Sequence, residues 1–184
     1  WENELMQGKG RSYGAEVEFA WRTKSTDISA YYTLSWTERN FEGLWHSWYP
    51  ARNDNRHKFT LNASHRFNKR FDMFIAWNYH TGNRMTVPTQ EIGFTEYYVS
   101  PYNYKLPDYH RLDLGFNFRK TTKRGNESVW NLSVYNAYCR VNPLLAYIGS
   151  DYNFTQDNLY GFEYIGEAFG LVPILPSFSY TLRF

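Results

Sequence analysis

The sequence is nearly without cysteine. Cys139 stands alone among 184 residues, which excludes a disulfide framework and a cysteine-based metal site. Long apolar runs are missing as well. A membrane-crossing helix needs roughly 18 consecutive apolar residues, and the longest late run, Leu171–Leu175, is broken by Pro173. An excess of either charge is also lacking. With 20 basic and 18 acidic residues the formal net charge is +2, so there is no electrostatic case for binding nucleic acid. The histidines, His46, His57, His65, His80 and His110, share no metal-ligand spacing. A serine, a histidine and an acid occur in no recognisable catalytic arrangement. No catalytic set, metal site or cofactor is expected.

What is abundant is aromatic carbon in a hydrophilic chain. Phe, Trp and Tyr make up 21% of the residues, while the mean hydropathy is −0.66. That combination suits β-strands, and it suits membrane interfaces where amphipathic rings settle. The stretch His110–Arg119 (HRLDLGFNFR) has a period of two: His110, Leu112, Leu114, Phe116 and Phe118 alternate with Arg111, Asp113, Gly115, Asn117 and Arg119. Such a strand has one face in an apolar medium and one in water. The pattern recurs in Tyr13–Trp21, Ile28–Thr37, Arg56–Phe67, Phe71–His80, Ser128–Tyr138 and Ile174–Phe184. Asn136 is the one exception within the sixth of these seven segments. Each has the length of a tilted strand crossing a bilayer, about 9–11 residues.

The connections predict the topology. Thr23–Asp27, Asn68–Arg70 and Thr121–Glu127 are short; Asn40–Asn55, Thr81–Tyr109 and Arg140–Pro173 are long. Short turns on one side and long loops on the other characterise outer-membrane β-barrels. In an up-and-down order, Tyr13, Trp36, His57, Tyr79, His110 and Tyr138 fall at the loop side of the apolar face. Ile28, Phe67, Phe71, Phe118, Trp130 and Phe184 fall at the turn side, with aliphatic residues between. A soluble β-sandwich with aromatic cross-strand pairs is the competing fold. Seven strands are an odd number and too few for a membrane barrel, and open edges in lipid leave backbone groups unpaired. The chain, which starts at Trp1 without Met or signal peptide, is therefore expected to be the C-terminal part of a larger barrel.

Several motifs carry a resemblance: Gly8–Gly14 (GKGRSYG), Leu106–Phe118 (LPDYHRLDLGFNF), Trp130–Ala137 (WNLSVYNA) with Asn142-Pro143, and Pro176–Phe184 (PSFSYTLRF). In order and spacing they resemble the last strands of TonB-dependent outer-membrane receptors of the Bacteroidetes type. The resemblance implies a 22-stranded barrel closed by an N-terminal plug. It implies TonB-driven import of a scarce nutrient of the siderophore, haem, cobalamin, glycan or peptide class. A passive porin or a barrel enzyme is the alternative. The implied partners are outer-membrane lipid, the rest of the barrel and its plug, the TonB complex, the barrel-assembly machinery and possible surface lipoproteins. Phe178, Tyr180, Leu182 and Phe184 share one face at the C-terminus and resemble the signal read by that assembly machinery.

Two groups of candidate residues follow. By period, Glu16, Glu18, Arg56, Lys58, Arg66, Asp72, Arg111, Asp113 and Arg119 face the lumen. They read either as a hydrated, charge-balanced wall against a plug or as a basic lining that guides an anionic substrate. The long loops carry Trp45, Trp48, Tyr49 and Arg52, and then Tyr97, Tyr98, Tyr102 and Tyr104. Aromatic surface loops supply rigid contact area for a ligand. The same rings could instead pack the loops together or dock a surface lipoprotein.

Overall fold

The computed structural model of the chain describes residues 6–92, 95–122, 125–143, 145–152, 162–170 and 173–184. Among them every regular element is a strand. In chain order these are β1 Lys9–Arg22, β2 Thr26–Phe41, β3 Trp45–Pro50, β4 His57–Arg66, β5 Phe71–His80, β6 Arg84–Met85, β7 Gln90–Ile92, β8 Thr95–Tyr97, β9 Tyr104–Lys105, β10 Tyr109–Thr121, β11 Glu127–Tyr135, β12 Leu145–Tyr152, β13 Phe162–Phe169 and β14 Leu175–Arg183.

The seven alternating segments are the seven long strands of one antiparallel sheet, in the order β1-β2-β4-β5-β10-β11-β14. Neighbours in chain order are neighbours in space, so consecutive strands run up and down. The sheet is open: β1 and β14 each pair with one neighbour among the described residues. The register keeps the two parity classes apart across its whole width. Trp21, Ile28, Ala63, Ile75, Leu114, Val134 and Pro176 fall in one cross-strand row. The adjacent row on the opposite face is Arg22, Asp27, Ser64, Phe74, Gly115, Ser133 and Ser177. A one-residue slip at any pair would put an apolar face against a polar one, so the pattern specifies the register.

At one end the strands are joined by three short turns, each closed by the side chain of its first residue. Thr23 Oγ1 accepts from the Thr26 N–H at 2.9 Å, Asn68 Oδ1 from Arg70 and Phe71 at 2.8 and 3.0 Å, and Thr122 Oγ1 from Asn126 at 3.1 Å. These are the local bonds that make Thr and Asn turn formers. Gly125, at φ 86°, supplies the left-handed residue of the third turn.

The sheet is a single layer. Within its seven long strands only Ala76, Gly115 and Ser128 are buried, small residues shielded by their neighbours. Val17, Phe19, Trp130, Leu132 and Phe178 of the apolar face are all exposed. The chain presents 13904 Å² of accessible surface; a compact chain of its mass would present roughly 9,300 Å². No described residue forms a second layer over the apolar face.

Compact packing occurs at the loop end, where Tyr49, Ala51, Asp54, Asn55, Thr81, Leu106 and Asn136 are buried. There β3 pairs with the far end of β2 (Arg39 opposite Tyr49, Phe41 opposite Trp45), continuing the lane that β4 occupies lower down. Gly82 allows the closest approach: a Cβ on it would lie 1.8 Å from the Leu106 carbonyl oxygen.

Four segments differ from the sequence expectation. Thr81–Tyr109 contains the short strands β6 to β9, paired β6 with β9 and β7 with β8. Asn40–Asn55 is not a plain loop, because it contains β3. Arg140–Pro173 contains the β12–β13 hairpin, whose strands pair only with each other among the described residues. The sixth strand ends at Tyr135, and Asn136, the exception to the alternation, is buried with a φ of 55°. It is a residue type that tolerates the left-handed region, and it turns the chain out of the sheet.

Candidate functional site

The polar face is built from cross-strand rows. Glu16, Thr33, Lys58, His80 and Tyr109 form one; Glu18, Tyr31, Thr60, Asn78 and Arg111 form the next. Towards the turns lies Arg66, Asp72, Asn117, Asn131 and Ser179. The middle of this last row, Asp72, Asn117 and Asn131, is a hydrogen-bonded chain. Asn117 Nδ2 donates to Asp72 at 2.8 Å, and Asn131 Nδ2 donates to Asn117 Oδ1 at 2.8 Å. Arg119 closes it as the ion-pair partner of Asp72. Arg111 is likewise committed, to Asp113 at 2.9 Å and to the hydroxyls of Tyr109 and Tyr135 at 3.0 and 2.8 Å. Its guanidinium carbon lies 4.2 Å from the Tyr135 ring centroid.

Four of the nine charged residues expected on this face, Asp72, Arg111, Asp113 and Arg119, are therefore neutralised by one another. Lys58 and Arg66 are exposed. Glu16 accepts a long hydrogen bond from Thr33 at 3.4 Å, and both Glu16 and Glu18 are exposed on the edge strand β1. Arg56 stands before β4, bound to Asp54 at 3.0 Å with its guanidinium 4.9 Å from the Trp36 ring centroid. It belongs to the loop end. Beside Gly115 the exposed Phe74 ring lies within contact distance of where a Cβ would be, an aromatic ring covering a strand glycine. A shallow hollow of about 350 Å³ opens there, lined by Phe74, Asp113, Gly115, Asn117, Asn131 and Ser133 among others.

The loop end is held by buried polar groups. The Asp54 carboxylate, 1% exposed, accepts from the Thr37 N–H at 2.9 Å and pairs with Arg56. Asn55 Nδ2 donates to the Thr81 carbonyl at 2.7 Å and to Asn83 at 2.9 Å. Asp108 accepts from the Gly82 N–H, Lys105 and Tyr79 at 3.0, 3.0 and 2.8 Å. Partial burial works to raise the Asp108 pKa, but these three donors outweigh it and hold the carboxyl at about 2. Where β11 has ended, the Asn142 side chain takes the place of a strand. It donates to the His110 carbonyl at 2.9 Å and accepts from the His110 N–H at 3.1 Å. Asn136 Nδ2 donates to the carbonyls of Arg140 and Pro173, drawing both ends of the third long connection together. Sequence reasoning did not single out Asp54 or Asp108, and it named Asn142 only within a family motif. The available signals were an Asx residue at each strand boundary and the Asn-Pro pair.

The aromatic loop candidates divide. Tyr49 is buried, its ring centroid 6.2 Å from that of Tyr102. These two pack one loop on another. Trp45 pairs with Phe41 in the β2–β3 ladder, and Trp48 carries the Arg11 guanidinium 4.4 Å above its ring. Arg52 is exposed, with its carbonyl accepting from the Arg84 N–H at 2.8 Å. Tyr97, Tyr98 and Tyr104 are exposed. At the C-terminus Phe178, Tyr180, Leu182 and Phe184 are all exposed, with Trp130 packed on Phe178 and Tyr180 at 5.6 and 4.9 Å.

The apolar face has two unlike belts. At the turn end the rings stack carbon on carbon: Phe67 on Phe71 at 5.1 Å and Phe71 on Phe118 at 4.8 Å. At the loop end polar tips are joined. Tyr32 bonds His57 at 2.8 Å, Tyr138 bonds His110 at 2.8 Å, and Trp77 Nε1 donates to the Tyr138 hydroxyl at 3.2 Å. Among the described residues no group of three or more His, Cys, Asp or Glu side chains is placed to hold a metal ion. No family model, curated protein or solved structure matches this chain.

Proposed function

We propose that the chain forms seven strands in the wall of a larger transmembrane β-barrel, that of a TonB-dependent outer-membrane receptor importing a scarce nutrient. The observation that carries this reading is the apolar face, which spans seven strands in one register, has aromatic residues at both ends and lies under no other described residue. Hydrocarbon is the solvent that stabilises such a face, and aromatic rings collect where hydrocarbon meets water. The bare margins at β1 and β14 call for strands from the remainder of the barrel, because unpaired backbone is costly in lipid.

Within a barrel the polar face lines the lumen. Its committed charges favour a hydrated wall against a plug over an anion-guiding lining. The buried polar knot at the loop end then holds the extracellular loops in place. Exposed Tyr97, Tyr98, Tyr104 and Arg52 are the positions for ligand or lipoprotein contact. The choice of TonB-dependent receptor over porin rests on the motifs between Gly8 and Phe184. The chain has no catalytic role in this reading.

The test is uptake by the native bacterium. A strain lacking the full-length gene and a strain lacking TonB function would be offered labelled siderophore, haem, cobalamin, glycan and peptide at limiting concentration. Loss of the same uptake in both strains is expected. Uptake that needs the gene but not TonB would assign a passive porin, and recovery of the protein in the soluble fraction would overturn the membrane reading itself.

A further inference from the structure

Charge is divided unevenly between the two ends of the sheet. Ten of the 20 basic residues, but three of the 18 acidic ones, fall in 22–27, 66–72, 119–127 and 183–184. Those segments hold the three short turns and the end of β14. The turn end therefore has an excess of seven positive charges, and the rest of the chain an excess of five negative ones. The three acids are spent within the patch: Asp27 on Arg22 at 2.6 Å, Glu127 on Arg183 at 3.2 Å, and Asp72 on Arg119. Lys24, Lys69, Arg70 and Lys120 are exposed and form no ion pair among the described residues.

Backbone bonds join the turns into one rim. The Arg66 N–H donates to the Ser25 carbonyl at 2.7 Å, tying the first turn to the second. The Arg119 N–H donates to the Arg70 carbonyl at 2.7 Å, tying the second turn to the end of β10. The rim also follows the turn-side belt of rings. Lys24 comes three residues after Trp21, and Lys69 and Arg70 lie between Phe67 and Phe71. Lys120 lies two residues past Phe118 and on the same face. Aromatic rings collect where hydrocarbon ends, so cations one to three residues further out stand at the level of lipid phosphates. An acidic protein partner would need the charge but not this alignment with the belt.

Resting on the barrel reading, we propose that Lys24, Lys69, Arg70 and Lys120 form a rim that binds the phosphate groups of anionic phospholipids in the turn-side leaflet. Successive turns stand two strand lanes apart, about 10 Å across the sheet, so each turn meets a headgroup of its own. Each Lys or Arg at an anionic lipid surface is worth roughly a fivefold gain in binding. Arg66 projects on the polar face opposite Asp72 and is not part of this set.

The experiment uses the protein in maltoside micelles, titrated with phosphatidylglycerol or with zwitterionic phosphatidylcholine. Retained lipid is counted by native mass spectrometry. Wild type is expected to retain phosphatidylglycerol over phosphatidylcholine. Lys24→Gln, Lys69→Gln, Arg70→Gln and Lys120→Gln combined should weaken that retention about fivefold or more. Lys24→Arg, Lys69→Arg and Lys120→Arg, which keep the charge, should leave it unchanged. So should Lys9→Gln with Arg39→Gln, which remove exposed cations at the loop end. Heat-modifiable gel mobility confirms that each variant is a folded barrel, and Lys69→Gln with Arg70→Gln carries the test if the fourfold variant does not assemble. Equal retention by wild type and the Gln variants, or the same loss from the loop-end pair, would overturn the site. Equal retention of both lipids by wild type would overturn anionic lipid as its occupant and assign the rim to an acidic protein. A protein that never enters micelles or membranes would instead overturn the barrel reading.

Discussion

An arginine in place of Leu114 separates a lipid-facing sheet from one packed in protein. Leu114 lies midway along β10, four residues from His110 in the loop-side belt and four from Phe118 in the turn-side belt. At about 3.4 Å per residue and a strand tilt near 45°, each belt is then roughly 10 Å of depth away. The two belts thus span about 20 Å, close to the apolar band of roughly 25 Å around outer-membrane barrels. Arginine at the midplane of such a barrel costs about 2–4 kcal/mol, and near the interfaces about 0–1 kcal/mol. Leu114→Arg should therefore lower the folding equilibrium roughly thirty- to several-hundred-fold, since each 1.4 kcal/mol is a factor of ten. Phe118→Arg should cost much less for its charge, and Ser64→Arg on the polar face about 1 kcal/mol or less. The assay is reversible denaturant titration of the protein in vesicles, comparing free energies extrapolated to zero denaturant. In a protein core the cost would not fall with distance from the midplane. Equal damage from Leu114→Arg and Ser64→Arg, or no gradient from Leu114 to Phe118, would refute the facing assignment.

Three further outcomes follow from the loop end and the C-terminus. Asp108 has a folded pKa of about 2, below its ordinary value of 3.8, so its contribution is complete above pH 4 and is lost as pH falls through 2. Limited proteolysis of the 80–109 connection should accelerate across that window, and Asp108→Asn should flatten the dependence; an unchanged profile would remove Asp108 from the lock. Gly82→Ala should destabilise the loop end by about 1–3 kcal/mol, because the new Cβ collides with backbone at Leu106; wild-type proteolysis rates would show that the close approach is not needed. If the chain is an outer-membrane barrel wall as proposed, deleting Phe184 should lower the amount of heat-modifiable protein in the outer membrane several-fold, and unchanged levels would argue against an assembly signal in the last strand.

The seven long strands were legible because each repeats the same period over nine residues or more, and in an up-and-down sheet the pattern alone fixes facing and register. What escaped was local. β3 (WHSWYP) is six residues long and exists by pairing with the overhanging end of β2; nothing in its own pattern announces that lane. The β12 and β13 strands pair with one another away from the main sheet, so no membrane-length repeat marks them. Asn136 was visible only as a flaw in the alternation. Its cause is backbone conformation at φ 55°, which a pattern of side chains does not encode. For the site, the polar parity was readable, but its partners were not. Arg111, expected only as one of the charges on the lumenal face, is enclosed by Asp113, Tyr109 and Tyr135, and Tyr49, for which ligand contact and loop packing were both open, is buried in the loop packing.

The central claim, that hydrocarbon covers the apolar face, is tested most directly by accessibility along β10. Single cysteines would be placed at 111 through 117 in the protein with Cys139 changed to Ala, spin-labelled and reconstituted in vesicles. Relaxation by oxygen, which concentrates in hydrocarbon, should be high at positions 112, 114 and 116. Relaxation by a water-soluble nickel chelate should be higher at 111, 113, 115 and 117. Low oxygen accessibility at 112, 114 and 116, as for labels buried against protein, would contradict the account.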